Sequence, residues 1–460
     1  MNSPSVQLVS DQFVRPRQLP EGSKKPIYLP PWDLAMLSVQ YIQKGLLFAK
    51  PHEAYTGEGF MESFLDKIKV SLSIALVHFY PLAGRLKTIK NDNPHLYTIC
   101  IDCIDSPGAK LIHATLDMTI SDILSPVYVP TEIVQSFFDH HRAVNHDGHT
   151  NSLLTIQVTE LVDGVFIGCS FNHVLGDGTS YWNFFNALSE IFQARERGIF
   201  NDAISRPPIL ERWFPDGCRV PLSFPYNDPS DFIVPFESPV LKERMFHFSA
   251  ESIARMKSRV NEECGTKGKG EEEISSFKSL TALVWRSIIR ARRFPDGQVT
   301  HCRMATNNRQ RMAPPGLPQN YFGNCISAVA ASTTAGELLG GGLGAAARLL
   351  HVALAEHTVE KIDEWLGEWL RYPSVYHIGR SFDPYSIMMG SSPRFNKYGN
   401  EFGLGKALTL RSGYANKFDG KVSAYPGREG RGSVDLEICL PPGIMAELEA
   451  DPEFMVAVEA

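Results

Sequence analysis

Hydrophobic side chains recur at helical spacing between residues 61 and 79. They are Met61, Phe64, Leu65, Ile68, Leu72, Ala75, Leu76 and Phe79. Positions three and four residues apart lie on one face of a helix, so the pattern predicts an amphipathic helix over this stretch. Tyr80-Pro81 should end it, because a proline disfavours helical geometry at the residue before it. Gly84 then permits a tight exit into a strand.

Two apolar runs, at 153–160 and 165–171, flank the dipeptide Asp163-Gly164. This dipeptide suits the positive φ angles of a tight turn, so the pattern predicts a hairpin of two strands. The segment after Phe171 should therefore begin at the end of a sheet, where the second strand stops. Apolar residues on one face then predict a helix from about 180 to 193. Those residues are Tyr181, Phe184, Phe185, Leu188, Ile191 and Phe192.

A proline-rich stretch at 200–240 lacks sustained periodicity and predicts an extended crossover between two lobes. We therefore expect an N-terminal lobe at 1–199, a crossover linker at 200–240 and a C-terminal lobe at 241–460. The second lobe should begin with a strand from Lys242 to Phe248. A helix, a charged solvated loop at 266–273 and a further helix at 276–293 should follow.

Composition and charge narrow the class of protein. The 460 residues carry 45 Lys and Arg against 51 Asp and Glu, so no general basic field is present and nucleic-acid binding is disfavoured. No apolar run reaches the roughly 18 residues of a membrane span, and the N-terminus lacks a signal-peptide pattern. The eight cysteines lie largely in apolar contexts, which indicates free thiols in a reducing compartment. We expect a soluble, cytoplasmic protein without a metal site.

The segment FNHVLGDG at 171–178 is the strongest candidate for chemistry. His173 emerges from a buried strand, and Gly176 and Gly178 permit an unusual turn after it. An imidazole presented into a cleft titrates near neutral pH and suits proton transfer, which makes His173 a candidate general base. A core histidine with satisfied hydrogen bonds explains the same pattern, and spacing alone does not separate the two interpretations.

Other segments occur with this motif in a fixed order along nearly the whole chain. They are SLSIALVHFYPLAGRL (71–86), LLTIQVTEL (153–161), SSFKSLTALVWR (275–286), APPGLPQNYFGNC (313–325) and SSPRFNKYGNEFGLGKA (391–407). Together with HVLGDG, which matches HxxxDG, they resemble the plant BAHD acyltransferases, relatives of chloramphenicol acetyltransferase and of peptide-synthetase condensation domains. Within that family the chain is most similar to the acetyltransferase-like group that includes the cuticular-ridge protein.

The resemblance implies an α/β fold of two chloramphenicol-acetyltransferase-like lobes with mixed β-sheets, joined by a long crossover and enclosing a central solvent channel. It implies that His173 removes a proton from a hydroxyl or amine of a plant specialised or cuticle-related metabolite. Acyl-CoA would be the co-substrate, with no bound cofactor and no covalent acyl-enzyme. The implied partners are the small-molecule acceptor and the acyl-CoA donor, and the implied state is a monomer.

The resemblance also implies residues that hold the structure. Asp177 would turn away from substrate and pair with Arg309 or Arg311, and Gly178 completes the motif. The family's DFGWG box appears as EFGLG, formed by Glu401, Phe402, Gly403, Leu404 and Gly405. Glu401 keeps the charge of the family's aspartate and could preserve a salt bridge. Leu404 lacks the ring and the indole donor of tryptophan, so packing there should loosen unless neighbours fill the volume.

CoA binding by an acidic protein needs local positive charge. The residues that match the family's motifs are Ser276 and Lys278, before the second-lobe helix, and Ser392 and Arg394. A helix N-terminus with a lysine is a sensible phosphate contact. Ordinary surface charges are the alternative explanation for Lys278 and Arg394.

Two other functions stay open. One base beside an enclosed cavity could serve a lyase or another non-transfer reaction, and the altered EFGLG box favours keeping that alternative. A non-catalytic small-molecule binding protein could also retain the fold, although the intact His173 and Asp177 argue against it. Dependence on CoA separates a transferase from a lyase.

Overall fold

The computed structural model describes residues 5–52, 59–92, 95–266, 272–312 and 316–459. The helices are α1 (Pro31–Leu34), α2 (Phe60–His78), α3 (Ile120–Leu124), α4 (Thr131–Gln135), α5 (Gly178–Glu196), α6 (Ala250–Glu263), α7 (Ser276–Arg292), α8 (Ala335–Gly340), α9 (Gly342–Ala355), α10 (Val359–Arg371), α11 (Ile378–Ser381), α12 (Pro442–Glu449) and α13 (Pro452–Glu459). The strands are β1 (Gln7–Val14), β2 (Ile27–Tyr28), β3 (Ile42–Ala49), β4 (Arg85–Asp92), β5 (His95–Asp102), β6 (Ala109–Thr115), β7 (Leu154–Glu160), β8 (Gly164–Phe171), β9 (Lys242–Phe248), β10 (Val299–Asn307), β11 (Ile326–Thr334), β12 (Ser386–Gly390), β13 (Thr409–Ser412), β14 (Lys421–Pro426) and β15 (Val434–Leu440).

The first sheet has the strand order β1-β6-β7-β8-β3-β13. Strands β6 and β7 run parallel, and the other neighbours run antiparallel. Helices α2 and α5 contribute Leu72 and Phe184 to the core against this sheet. Strand β13 pairs with β3 although it comes from beyond residue 241, so the later part of the chain reaches into the first sheet.

The second sheet has the order β11-β10-β12-β14-β15-β9. It is also mixed, because β12 runs parallel to both β10 and β14 while the remaining pairs are antiparallel. A second core lies against it, with Trp285 of α7 and Leu350 of α9. Two mixed sheets with helices, each with its own core, confirm the predicted two-lobed α/β class.

The stretch 200–240 is irregular, as its proline content predicted. Its regular structure is one short 3-10 helix, Pro229–Asp231. Isolated bridges join Phe224 to Tyr97 and Ile209 to Tyr321. The first of these bridges contacts β5 of a small third sheet, ordered β2-β5-β4.

Hydrophobic periodicity located the main helices and strands to within a few residues. The helix predicted at 61–79 is α2 (Phe60–His78), and the helix predicted at 180–193 is the longer α5 (Gly178–Glu196). Strand β9 has the predicted bounds, and the helix predicted at 276–293 is α7 (Ser276–Arg292). Residues 267–271 of the predicted charged loop lie outside the described residues.

The hairpin β7–β8 forms at the predicted place, but the expected reason for its glycine is wrong. Neither Asp163 nor Gly164 is among the described residues with positive φ. Gly164 instead lies where a Cβ would meet Phe48 O at 2.9 Å and Ile120 Cγ1 at 2.8 Å, so close packing excludes a side chain there. Asp163 accepts a hydrogen bond from the Ile120 N–H at 2.7 Å and so fixes the start of α3.

Among the described residues, no helix has both the length and the apolar character needed to cross a membrane.

Candidate active site

His173 follows β8, a strand that is buried along its whole length, after one intervening residue, Asn172. The Asn172 side chain caps the short turn His173–Leu175 by accepting a hydrogen bond from the Val174 N–H at 3.1 Å. The His173 N–H donates to Asn145 Oδ1 at 2.8 Å. The backbone of His173 is therefore fixed at the sheet end, while its side chain is half-buried.

The orientation of the imidazole is set by Asn324. The Asn324 side-chain NH2 donates to Asp33 Oδ1 at 2.9 Å and to His173 O at 2.7 Å. The amide oxygen therefore faces His173 Nδ1, at 3.0 Å. An amide oxygen can only accept, so Nδ1 carries the proton and Nε2 presents a lone pair.

Asp33 is fully buried in α1 and anchors this arrangement. Its Oδ1 also accepts the Asn324 N–H at 2.8 Å, and its Oδ2 lies 3.3 Å from Arg212 Nη1. Burial raises the pKa of Asp33, and Arg212 and Asn324 oppose that rise. Arg212 in turn donates to the carbonyl oxygens of Leu175 and Phe322, so the Asp33–Asn324–His173 chain is held from both lobes.

The surroundings of the imidazole favour its neutral form. Burial is the largest influence and lowers the pKa of His173 below its ordinary value, since the charged form loses solvation. Asp177 and Asn324 act in the opposite direction, and the positive charge of Lys421 lowers the pKa further. A neutral imidazole with a free Nε2 is the form that accepts a proton.

Asp177 is directed into the protein rather than toward His173. Arg309 Nη1 and Nη2 donate to its two carboxylate oxygens at 2.7 and 3.0 Å. The backbone N–H groups of Thr179 and Ser180 donate to Oδ1, and that of Cys325 donates to Oδ2. Asp177 and Arg309 are both 0% exposed. The pair joins the start of α5 to the loop before β11.

Arg311, the second candidate partner of Asp177, lies elsewhere in the structure. Arg311 donates to the carbonyl oxygens of Leu354 and His357, at 3.1 and 2.9 Å, at the end of α9. Gly178 is the first residue of α5, and a Cβ there would lie 3.5 Å from Phe395, an ordinary contact. Gly178 therefore has no steric requirement for glycine within the described residues.

The EFGLG box is built around Phe402, which is 0% exposed. Its ring lies edge-to-face against Phe48, Phe185 and Phe192, with centroid distances of 6.2, 5.5 and 5.8 Å. These contacts tie the box to β3 and to α5. Phe402 itself has a φ of 47°, so it adopts the left-handed region that favours glycine.

The other members of the box are more exposed. Gly403 and Gly405 have φ angles of 70° and 77°, which glycine adopts without strain. Glu401 is exposed and has no ion-pair partner within 4.0 Å among the described residues, so the salt bridge considered from its charge is not formed there. Leu404 is half-buried and packs against the first core.

The residues predicted to contact CoA lie at two places. Ser276 begins α7, after the cap Ser275, and Lys278 Nζ lies 3.1 Å from His351 Nδ1. Ser392 Oγ accepts the N–H of the exposed Arg394 at 3.1 Å. No hydrogen bond or ion pair joins these two places within the described ranges. No group of three His, Cys, Asp or Glu side chains could hold a metal ion in the part of the chain that the structure describes.

Sequence reasoning selected His173, Asp177 and Arg309 but missed two residues beside them. Asn324 lies in the matching segment at 313–325, just before a strand, but nothing in its local sequence connects it to His173. Asp33 follows Pro-Pro-Trp, and nothing in that local pattern connects it to a histidine 140 positions later.

Comparison with known proteins identifies the family. The model of the transferase family matches residues 5–455. An uncharacterised acetyltransferase of Arabidopsis thaliana is 35% identical over 98% of both chains. The BAHD acyltransferase DCR of the same plant is 32% identical over 99% of this chain and 93% of its own. The crystal structure of F. sporotrichioides TRI101 complexed with coenzyme A and T-2 has a TM-score of 0.72 and 19% identity, covering 94% of this chain and 98% of that chain, which shows the fold. The chain therefore belongs to the transferase family of BAHD acyltransferases and is a transferase enzyme.

Proposed function

We propose that this protein transfers an acyl group from an acyl-CoA to a hydroxyl or amine of a plant metabolite, with His173 as the general base. The observation that carries the proposal is the hydrogen bond between His173 Nδ1 and Asn324 Oδ1, because it leaves Nε2 free. A half-buried imidazole with a lowered pKa is also neutral at physiological pH. Cuticle-related metabolism, a cytoplasmic location and a monomeric state are parts of the same proposal.

The reaction follows from that tautomer. Nε2 takes the proton of the acceptor O–H or N–H while the acceptor lone pair forms a bond to the thioester carbonyl carbon. The carbonyl electrons move to oxygen and give a tetrahedral oxyanion. Its collapse breaks the C–S bond, and the proton on Nε2 moves to the CoA thiolate. Base catalysis of this kind contributes about 10²- to 10⁴-fold in rate.

The shared fold and the chemistry of two of the predicted residues support binding of the donor in this proposal. TRI101, which shares the fold, was crystallised with coenzyme A. Lys278 lies in the first turn of α7, where backbone N–H groups and a lysine suit phosphate oxygens. The exposed guanidinium of Arg394 is available for a second phosphate contact.

Asp177, Arg309 and the EFGLG box have structural roles in this proposal. Asp177 uses both carboxylate oxygens on Arg309 and on backbone amides, so it is a positioning residue for the loop that carries His173. Phe402 joins the box to α5 through buried aromatic contacts.

The experiment is a mass-spectrometric assay of the purified protein with a panel of acyl-CoAs and pooled plant metabolites. Acylated products together with free CoA support the transferase. Consumption of a metabolite without any need for a CoA thioester overturns it in favour of a lyase. Retention of a metabolite without turnover, across the whole panel, overturns it in favour of a binding protein.

A further inference from the structure

The second sheet turns a charged face toward the first lobe. Along β14, Val422 and Ala424 are buried in the second core, so Lys421, Ser423 and Tyr425 lie on the opposite face by strand alternation. Lys44 of β3 in the first sheet donates to Tyr425 Oη at 2.5 Å. This face therefore lies at the junction of the two lobes, where His173 also lies.

The carboxylates of the junction are already occupied. Glu437 accepts hydrogen bonds from Ser412 at 2.5 Å and from Tyr425 at 2.8 Å, and it lies 3.5 Å from Lys417 Nζ. Glu243 pairs with the same Lys417. Lys417 is therefore the ion-pair partner of both Glu243 and Glu437.

Three further lysines of the junction have no carboxylate within 4.0 Å among the described residues. They are Lys44, Lys397 and Lys421. Lys397 is 1% exposed and donates to Ser391 Oγ and Ala424 O at 3.2 and 3.3 Å. Interior lysines are rare unless they are paired, because burial disfavours the charged ammonium, and it lowers the pKa of all three lysines here.

Lys421 differs from the other two lysines, because its Nζ has no hydrogen-bond partner among the described residues. The side chain keeps part of its surface accessible, as does His173. Nζ lies over Gly390, where an added Cβ would be only 2.5 Å from it. Burial lowers the pKa of Lys421 to about 8, and the positive charge of Lys421 lowers the pKa of His173.

Apolar side chains lie beside this ammonium. Lys421 Nζ lies 5.7 Å from the centroid of the Phe418 ring, and Met388 is its partner in the register of β12 and β14. Phe418 and Met388 form a small apolar cluster with Ile378, and Phe236 and Phe382 pack against this cluster. An unpaired cation beside apolar walls suits a ligand with a carboxylate on an apolar body.

We propose that Lys421 binds a carboxylate of the substrate, so that the reaction joins a CoA thioester to an organic acid or uses an acyl group that itself ends in a carboxylate. The inference rests on the proposed function and narrows its substrate class. The carboxylate supplies the counter-charge that the junction lacks.

Binding is measured by isothermal titration calorimetry of the full chain, without turnover. The acceptor probes are 4-hydroxybenzoate and 4-hydroxycinnamate against their methyl esters, and the donor probes are malonyl-CoA against acetyl-CoA. The variants are Lys421→Met, which keeps the length and suits the contact with Phe418, and Lys421→Arg, which keeps the charge. Lys361→Met, at an exposed lysine paired with Glu364, is the matched control.

Wild type and Lys361→Met should bind the charged probes of one set, acceptors or donors, at least about tenfold more tightly than Lys421→Met does. The affinity for the neutral probes should be the same in all three proteins. Lys421→Arg should restore part of that preference. The set that responds identifies the acceptor or the acyl group as the source of the carboxylate. Equal binding of the charged probes by wild type and Lys421→Met overturns the proposal, as does a wild type without preference for charged probes.

The same titrations with His173→Ala separate the two proposals. One outcome is that the protein shows no transferase turnover, while its preference for charged probes depends on Lys421 and persists in His173→Ala. That outcome supports the carboxylate site and contradicts the proposed reaction. Turnover with neutral substrates alone, unchanged in Lys421→Met, retains the reaction and rejects the site.

Discussion

Replacing Asp177 with asparagine removes the only carboxylate within 4.0 Å of Arg309 among the described residues. Both side chains are 0% exposed, so Arg309 cannot recover solvation where it lies. Breaking a buried pair by neutralising one partner typically costs about 3–5 kcal/mol. The asparagine NH2 would also face a donor, since both oxygens of Asp177 accept hydrogen bonds. We expect Asp177→Asn to lower the free energy of unfolding by about 3–5 kcal/mol.

Urea unfolding followed by tryptophan fluorescence measures this loss. Glu364→Gln is the control, because it removes an ion pair whose side chains are 63% and 65% exposed, so its effect on the free energy of unfolding should be far smaller than that of Asp177→Asn. The double variant Asp177→Asn/Arg309→Met should lose less than the sum of the single variants, since no unpaired charge remains buried. A loss below about 1 kcal/mol for Asp177→Asn, or additive losses in the double variant, would refute the reasoning.

Three further predictions concern the site and the box. Asn324→Leu should lower kcat by about 10²-fold or more with little change in KM, because His173 loses the acceptor that fixes its tautomer, and steady-state kinetics measure both constants. The acid limb of kcat/KM against pH should have its midpoint below 6.5, because burial lowers the pKa of His173 and the neutral imidazole is the base. A midpoint above pH 6.5 would contradict this assignment of the base. Phe402→Ala should cost about 3–5 kcal/mol in urea unfolding, and the exposed Glu401→Ala within about 0.5 kcal/mol; equal losses would show that the box is not held by Phe402.

Local patterns predicted those parts of the fold that local forces decide. The apolar face at 61–79 became α2, and the two apolar runs around Asp163-Gly164 became β7 and β8. Gly164 shows the limit of such reasoning. Glycine is needed at this position because Phe48 and Ile120, which are distant in sequence, leave no room for a side chain. Strand β13 was not predicted either, since its four residues gain their strand conformation by pairing with β3.

The candidate site divides in the same way. His173 stood out because a histidine between a buried strand and two nearby glycines is a local signal. The family resemblance pointed to Arg309 or Arg311, and only the tertiary arrangement brings Arg309 to Asp177. Asn324 and Asp33 act on the histidine through a chain of side chains whose members lie far apart in sequence, so no spacing could reveal them.

The most direct measurement for the central claim compares the turnover of wild type with that of His173→Ala, using one acyl-CoA and acceptor pair found in the panel assay. His52→Ala, at an exposed histidine, is the control, and thermal unfolding confirms that each variant is folded. The account predicts that His173→Ala loses about 10²- to 10⁴-fold in kcat while His52→Ala keeps the wild-type rate. A folded His173→Ala protein with wild-type turnover would contradict the account.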